Sequence, residues 1–265
     1  MKLFSFLDKA DKSKVYLSYD QHRKNFGDIL SPIIANHYGT KKIKRISKRK
    51  CKFYDHYFMI GSILQRSTSH SIIWGSGFIA ADVQCSEIPK KVLAVRGPST
   101  REKLLEAGID CPEIYGDPAL LMPEIYPGDH IKTEYKLGII PHYLDKKDTA
   151  LQKFRNHPEV NIIDIQNKNP LKVIDEMLKC EKIVSSSLHG IIVADAYKIP
   201  SVWVQFSIPL EGGDFKFQDY FRSVQRSVSG VLKFNDFKSL DEIIKVFKPY
   251  QINIDLEKLS SSFPF

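Results

Sequence analysis

The chemistry in this chain concentrates between Lys182 and Tyr197. There Ser185, Ser186 and Ser187 run into Leu188, His189 and Gly190, ahead of the apolar residues Ile191, Ile192 and Val193. The pattern describes a short buried strand that breaks into hydroxyls and restarts as an apolar helix. The first amides of a helix have no intrahelical acceptor, and the aligned peptide dipoles leave partial positive charge at the same end. Such a junction binds anions, phosphate above all. His189, in the first turn, adds a titratable donor beside that anion.

Other residues with chemical potential also follow strand-like runs. They are Asn25-Phe26-Gly27-Asp28, Gly61-Ser62, Gly75-Ser76-Gly77, Arg96-Gly97-Pro98 and Pro141-His142. Open α/β sheets bind ligands beyond the carboxyl ends of their strands, so these positions converge on one region. Glycines, hydroxyls, an arginine, an aspartate and histidines suit a phosphorylated, sugar-like ligand.

Each has a bland reading beside the sharp one. Asp28 is a candidate base or hydroxyl-orienting group, or an aspartate capping a helix that starts at Ser31-Pro32. Arg96 can fork onto a carboxylate or phosphate, or make a structural ion pair. His189 can serve the ligand, or act as a cap or core residue. Asn25 touches ligand or holds its loop, and His142 binds ligand or follows its strand into a turn. Asp117, between Gly116 and Pro118, reads first as a turn residue. Trp74 and Trp203 read as core.

The elements that position these residues alternate. Strands are expected at Val15–Ser18, Tyr57–Ile60, Ile72–Trp74 and Lys91–Val95, with helices at Pro32–Tyr38 and Pro98–Ala107. The second half repeats the alternation. Strands fall at Lys136–Ile140, Val160–Asp164 and Ser201–Val204, and helices at Asp148–Asn156, Pro170–Lys179 and Leu240–Phe247. This predicts α/β architecture with parallel sheets. The turn-rich stretch from Pro112 to Pro127 places a domain boundary at its end, giving units 1–127 and 128–265. The last helix is expected to pack back on the first unit.

The composition, 43% hydrophobic and 26% charged, is that of an ordinary globular chain. A net charge of +8 favours anionic partners. Much of the excess lies in Lys41, Lys42, Lys44, Arg45, Lys48, Arg49, Lys50 and Lys52. That run is a solvated edge strand or loop, or a contact with anionic lipid headgroups or a lipid diphosphate. Nucleic acid is not expected, because no recognition motif accompanies the charge. Cys51, Cys85, Cys111 and Cys180 are scattered without paired histidines, which argues against zinc and against a disulfide framework. No apolar run reaches membrane-spanning length. The expected location is the cytoplasm, against the inner face of a membrane.

Together, Asn25–Asp28, Trp74-Gly75-Ser76-Gly77, Val95-Arg96-Gly97-Pro98-Ser99, Tyr115–Ala119 and Ser185–Gly190 occur in the order seen in polysaccharide pyruvyl transferases. Phe215–Tyr220 resembles the branch that decorates bacterial exopolysaccharides. The resemblance implies two Rossmann-like domains in a glycosyltransferase B-like architecture, with the ligand cleft between them. It implies transfer of the enolpyruvyl unit of phosphoenolpyruvate to two sugar hydroxyls, giving a cyclic pyruvate ketal and phosphate, with no metal or other cofactor. The implied acceptor is a polyprenyl-diphosphate-linked oligosaccharide.

Carried over by motif are Arg96 and His189; His189, with Asp28 from its own post-strand position, makes the pair of catalytic candidates. Arg96, Ser185, Ser186, Ser187, Leu188, Gly190 and Lys216 are candidates for binding the donor. Asn25, Ser76, Gly77, His142 and Asp117 are acceptor or loop candidates. Many family members have an arginine two residues before the histidine, where this chain has Ser187. A nucleotide-sugar glycosyltransferase of the same architecture is the alternative, followed by a non-catalytic glycan-binding protein.

Overall fold

The computed structural model describes residues 13–20, 25–207 and 212–265. The first half places β1 (Lys14–Leu17), α1 (Phe26–Tyr38), β2 (Lys42–Arg45), β3 (His56–Phe58), β4 (Ser71–Trp74), β5 (Lys91–Ala94), α2 (Pro98–Glu106) and α3 (Met122–Ile125) in sequence. The second half places β6 (Leu137–Ile140), β7 (Val160–Ile162), α4 (Pro170–Leu178), β8 (Ile183–Ser185), α5 (Leu188–Ala196), β9 (Ser201–Gln205), α6 (Phe215–Ser223), β10 (Leu232–Lys233), α7 (Leu240–Lys245) and α8 (Leu256–Ser261).

The strands form two five-stranded sheets, ordered β2-β1-β3-β4-β5 and β10-β9-β8-β6-β7. Every strand pairing within them is parallel. Counted from each half's first strand, both sheets follow the same 2-1-3-4-5 winding. The α/β expectation with two Rossmann-like units therefore stands. In this winding the chain reverses direction across the sheet between its first and third strands, and ligands bind in the crevice opened there. One such crevice lies beyond β1 and β3, the other beyond β6 and β8.

Burial follows strand position. Every residue of β6 and β8, inside the second sheet, is buried. On the edge strand β2, Lys42 and Lys44 are exposed while Ile43 and Arg45 turn partly inward. Exposed lysines discourage another strand from pairing with the open edge. One apolar cluster joins Phe26, Leu30 and Ile34 of α1 to Ile191 and Ile192 of α5. It ties together the helices that carry the two leading catalytic candidates.

Two helices differ from expectation. α1 begins at Phe26 rather than Pro32, so Pro32 lies inside it. A proline there forfeits one helical hydrogen bond. Burial of Phe26, Leu30 and Ile34, spaced one turn apart on a single face, outweighs that loss. Asp28 is consequently a buried first-turn residue instead of a cap. The helix expected at Asp148–Asn156 is a 3-10 turn over Thr149–Phe154, capped by Asp148 Oδ1 on Ala150 N.

The carboxyl-terminal segment lies against the first sheet. Trp74 Nε1 donates to Leu259 O at 3.2 Å and to Ser262 Oγ at 2.9 Å, and Phe263 meets the indole edge-on at 5.1 Å. Among the described residues no helix is long and apolar enough to cross a membrane.

Candidate functional site

The two crevices face each other across a cleft of about 130 Å3. From the first half come Asp20, beyond β1, Gly61 and Ser62, beyond β3, and Asn25 and Asp28 of the α1 entry. Ile63, Arg66 and Ile79 complete that side. The second half contributes His142, Tyr143 and Leu144 beyond β6, Ser187, Leu188 and His189 beyond β8, and Lys216. A larger cavity of about 670 Å3, lined by Lys182, Lys198 and Tyr250 among others, lies at the opposite, amino-terminal end of β8 and β9. It holds none of the candidate site residues.

His189 lines the cleft and is largely buried. Its ring packs on Gly27, where an added Cβ would fall 2.3 Å from the imidazole. Only glycine permits that approach. Nε2 of His189 lies 3.4 Å from Oδ2 of Asp117. At that separation the two atoms are in contact without a formed hydrogen bond. Neither atom has a hydrogen-bond partner among the described residues. The other carboxylate oxygen of Asp117 accepts from Ala119 N at 2.9 Å, which locks the side chain at the head of the 3-10 turn Pro118–Leu121. Asp117 is both a turn residue and the carboxylate behind His189. A buried carboxylate against one ring nitrogen orients an imidazole.

Asp28 is 4% exposed, and its Oδ1 has no partner among the described residues. Burial pushes its carboxyl up to about 7, with nearby His189 pulling the other way. A carboxyl near neutrality can take up or release a proton at working pH.

The three serines divide their work. Ser185 Oγ accepts from Ser187 N and faces Ser187 O and Ile140 O of β6 as acceptors, and Gly190 backs onto that hydroxyl. Ser186 Oγ donates to Asp145 Oδ2 at 2.6 Å and accepts from His142 N at 2.8 Å. This fastens the His142–Asp145 turn to the start of α5. Burial raises the Asp145 carboxyl, the Ser186 hydrogen bond opposing it. Only Ser187 lines the cleft, and its side chain makes no capping bond to α5. The first helical bond of α5 runs from Ile191 N to Ser187 O, so the amides of Leu188, His189 and Gly190 precede the ladder.

Arg96 lies beneath the cleft, 1% exposed. Nε donates to Asp219 Oδ2 at 2.9 Å, one terminal nitrogen to Ser62 Oγ at 2.6 Å and the other to Phe78 O at 2.7 Å. Asp219 also accepts from Thr100 N and Oγ1. Gly77 leaves room for the guanidinium, since a Cβ there would sit 2.6 Å from it. Ser76 is buried away from the cleft lining. Arg96 therefore reaches the cleft through Ser62 and not with its own side chain.

Asn25, Asp28, His142, Ser187, Leu188, His189 and Lys216 thus come together, while Arg96, Ser76, Gly77, Ser185, Ser186 and Gly190 form the layer behind them. Ser62 was legible as a post-strand position. Arg66 was not, because it stands on an isolated 3-10 turn with no motif around it.

Residues 2–207 match the polysaccharide pyruvyl transferase family. The chain belongs to that family. An uncharacterised protein of Acanthamoeba polyphaga mimivirus is 32% identical over 242 residues, 89% of this chain and 82% of the viral one. Succinoglycan biosynthesis protein ExoV of Rhizobium meliloti is 27% identical over 172 residues, 62% of this chain and 52% of its own length. The match thus takes in about half of that bacterial protein. Membership implies pyruvyl transfer in polysaccharide biosynthesis. In this pyruvyl transferase family member the matched region contains every cleft residue except Lys216.

Proposed function

We propose that the chain transfers the enolpyruvyl unit of phosphoenolpyruvate to two hydroxyls of a sugar, forming a cyclic ketal and releasing phosphate. The observation that carries this reading is that His189, backed by the buried Asp117, lines one small cleft with a carboxyl poised near neutrality, Asp28.

Phosphoenolpyruvate needs cations and oriented amides. Lys216 and Arg66 line the cleft, and the α5 amino terminus supplies amides for phosphate oxygens. These groups take the place of the arginine that many family members carry where this chain has Ser187. With Nε2 turned to Asp117, Nδ1 is the ring nitrogen left to serve the donor. His189 protonates the methylene carbon, or donates to the departing phosphate. Protonation makes C2 oxocarbenium-like, and the first hydroxyl adds while its proton passes to Asp28. The C2–O bond to phosphate then breaks, the second hydroxyl closes the ketal, and its proton leaves with phosphate.

The first half (1–127) then presents the acceptor and the second (128–265) the donor phosphate. The acceptor is lipid-linked, and the enzyme works in the cytoplasm at a membrane surface. Faster transfer to a lipid-diphosphate-linked sugar than to the free sugar is expected, and equal rates would remove this part of the proposal.

The rival is nucleotide-sugar glycosyl transfer. Thermal unfolding with phosphoenolpyruvate and with UDP, GDP and CMP sugars separates the two. A ligand at about 100 times its Kd adds roughly 2.7 kcal/mol. The expected result is a shift with phosphoenolpyruvate alone, reduced in Lys216→Ala. A shift with one nucleotide sugar and none with phosphoenolpyruvate would establish glycosyl transfer instead.

A further inference from the structure

A second cavity, of about 510 Å3, adjoins the cleft and shares Asp20, Ile63 and Arg66 with it. It opens beyond the carboxyl ends of β1 and β2, where Ser18, Tyr19, Arg45 and Lys48 line it. Three cations from two segments, Arg45 and Lys48 at the end of β2 and Arg66 beyond β3, line it beside one carboxylate, Asp20. That is more positive charge than a neutral ligand requires.

The inward-turned position of Arg45 on β2 separates it from the solvated lysines of the same strand. Its Nε donates to Tyr19 O at 3.2 Å, and the guanidinium lies 5.8 Å over the Tyr19 ring. One donor is thus spent on holding the fork against an aromatic wall. A planar fork held in this way suits phosphate oxygens, and the tyrosine offers a face to a sugar ring. The volume falls in the range of small-molecule sites.

We infer that this second cavity is the acceptor subsite, where Arg45 and Lys48 bind a phosphate or diphosphate attached to the acceptor sugar, with Arg66 on the wall shared with the donor cleft. The inference rests on the pyruvyl-transfer reading. The sugar hydroxyls then enter the cleft past Asp20, whose backbone amide donates to the Asp28 carboxyl. The part of the basic run that recognises the acceptor is Arg45 and Lys48, while Lys42 and Lys44 stay on the solvated edge.

Calorimetric titration of the full chain tests this, first with phosphoenolpyruvate alone and then with inorganic pyrophosphate at saturating phosphoenolpyruvate. Pyrophosphate should bind to the loaded protein. Arg45→Gln and Lys48→Gln should each weaken it about tenfold or more, the loss of one charge-assisted contact. Phosphoenolpyruvate affinity should stay within about twofold in both variants. Lys48 is exposed, so Lys48→Gln reads the site without disturbing Tyr19. Competition between pyrophosphate and phosphoenolpyruvate, or unchanged pyrophosphate binding in both variants, would overturn the second site. Glucuronate binding more tightly than pyrophosphate at these residues would overturn the phosphate assignment. Failure of the first titration in wild type would instead remove the pyruvyl-transfer reading, and with it the acceptor assignment.

Discussion

His189 and Asp117 are brought together from opposite halves of the chain, Nε2 to Oδ2 at 3.4 Å, with both side chains buried. A helix amino terminus in one half supplies the imidazole, and a proline-locked turn in the other supplies the carboxylate. If the pair works as a unit, Asp117→Asn and His189→Ala should each lower turnover, the histidine variant by ~10²–10⁴-fold. Their double variant should be little worse than His189→Ala alone. Additive losses would assign Asp117 to the turn only. The measurement is acceptor-dependent phosphate release.

Gly27→Ala tests the packing that holds the imidazole. The added methyl would fall 2.3 Å from the ring, so the ring must move. A displacement of about 1 Å can cost 10²-fold in rate, and turnover should drop on that scale. Phosphoenolpyruvate affinity should fall less than turnover, which steady-state kinetics would resolve.

Asp28 makes both stability and rate depend on pH. Burial raises its folded-state value to about 7, against about 3.9 for an unfolded aspartate. Between those values the folded chain keeps a proton that the unfolded chain has lost. The stabilising contribution is fully present below about 4 and is lost as the pH rises through about 7. Thermal melts from pH 4 to 8 should show wild type losing stability relative to Asp28→Asn across that window. If the carboxylate is the base, turnover should rise through the same pH range, and Asp28→Asn should flatten the profile.

Arg96 and Asp219 form a buried pair, 1% and 0% exposed at the side chain. Removing one partner of such a pair costs about 3–5 kcal/mol. Arg96→Ala should therefore melt well below wild type, by roughly 10 °C for a chain of this size. A paired Arg96→Met, Asp219→Leu variant should recover part of the loss. Phosphoenolpyruvate binding by that double variant would separate a supporting arginine from one that touches the donor.

The sequence alone carried the fold class. Short β-rich runs alternating with helical segments, each closed by a glycine or proline, leave few arrangements other than parallel sheets with crossover helices. It also carried the convergence at Asn25–Asp28 and Ser185–Gly190, because post-strand positions meet at one end of such sheets. Pro32 misled locally, since proline chemistry marks a helix start and the burial of Phe26 is decided at a distance.

Three matters lay beyond sequence. Which of Ser185, Ser186 and Ser187 faces ligand depends on hydrogen bonds to Ile140 and Asp145, more than forty residues away. Whether Arg96 binds donor or Asp219 depends on where α6 docks against α2. That Asp117 stands behind His189 requires a turn in the first half and a helix in the second to pack together. Residue types and their spacing along the chain determine which groups are available and which end of a sheet they reach. Which of them keep a free lone pair or proton is decided by long-range packing and hydrogen bonding, and those partners are not neighbours in sequence.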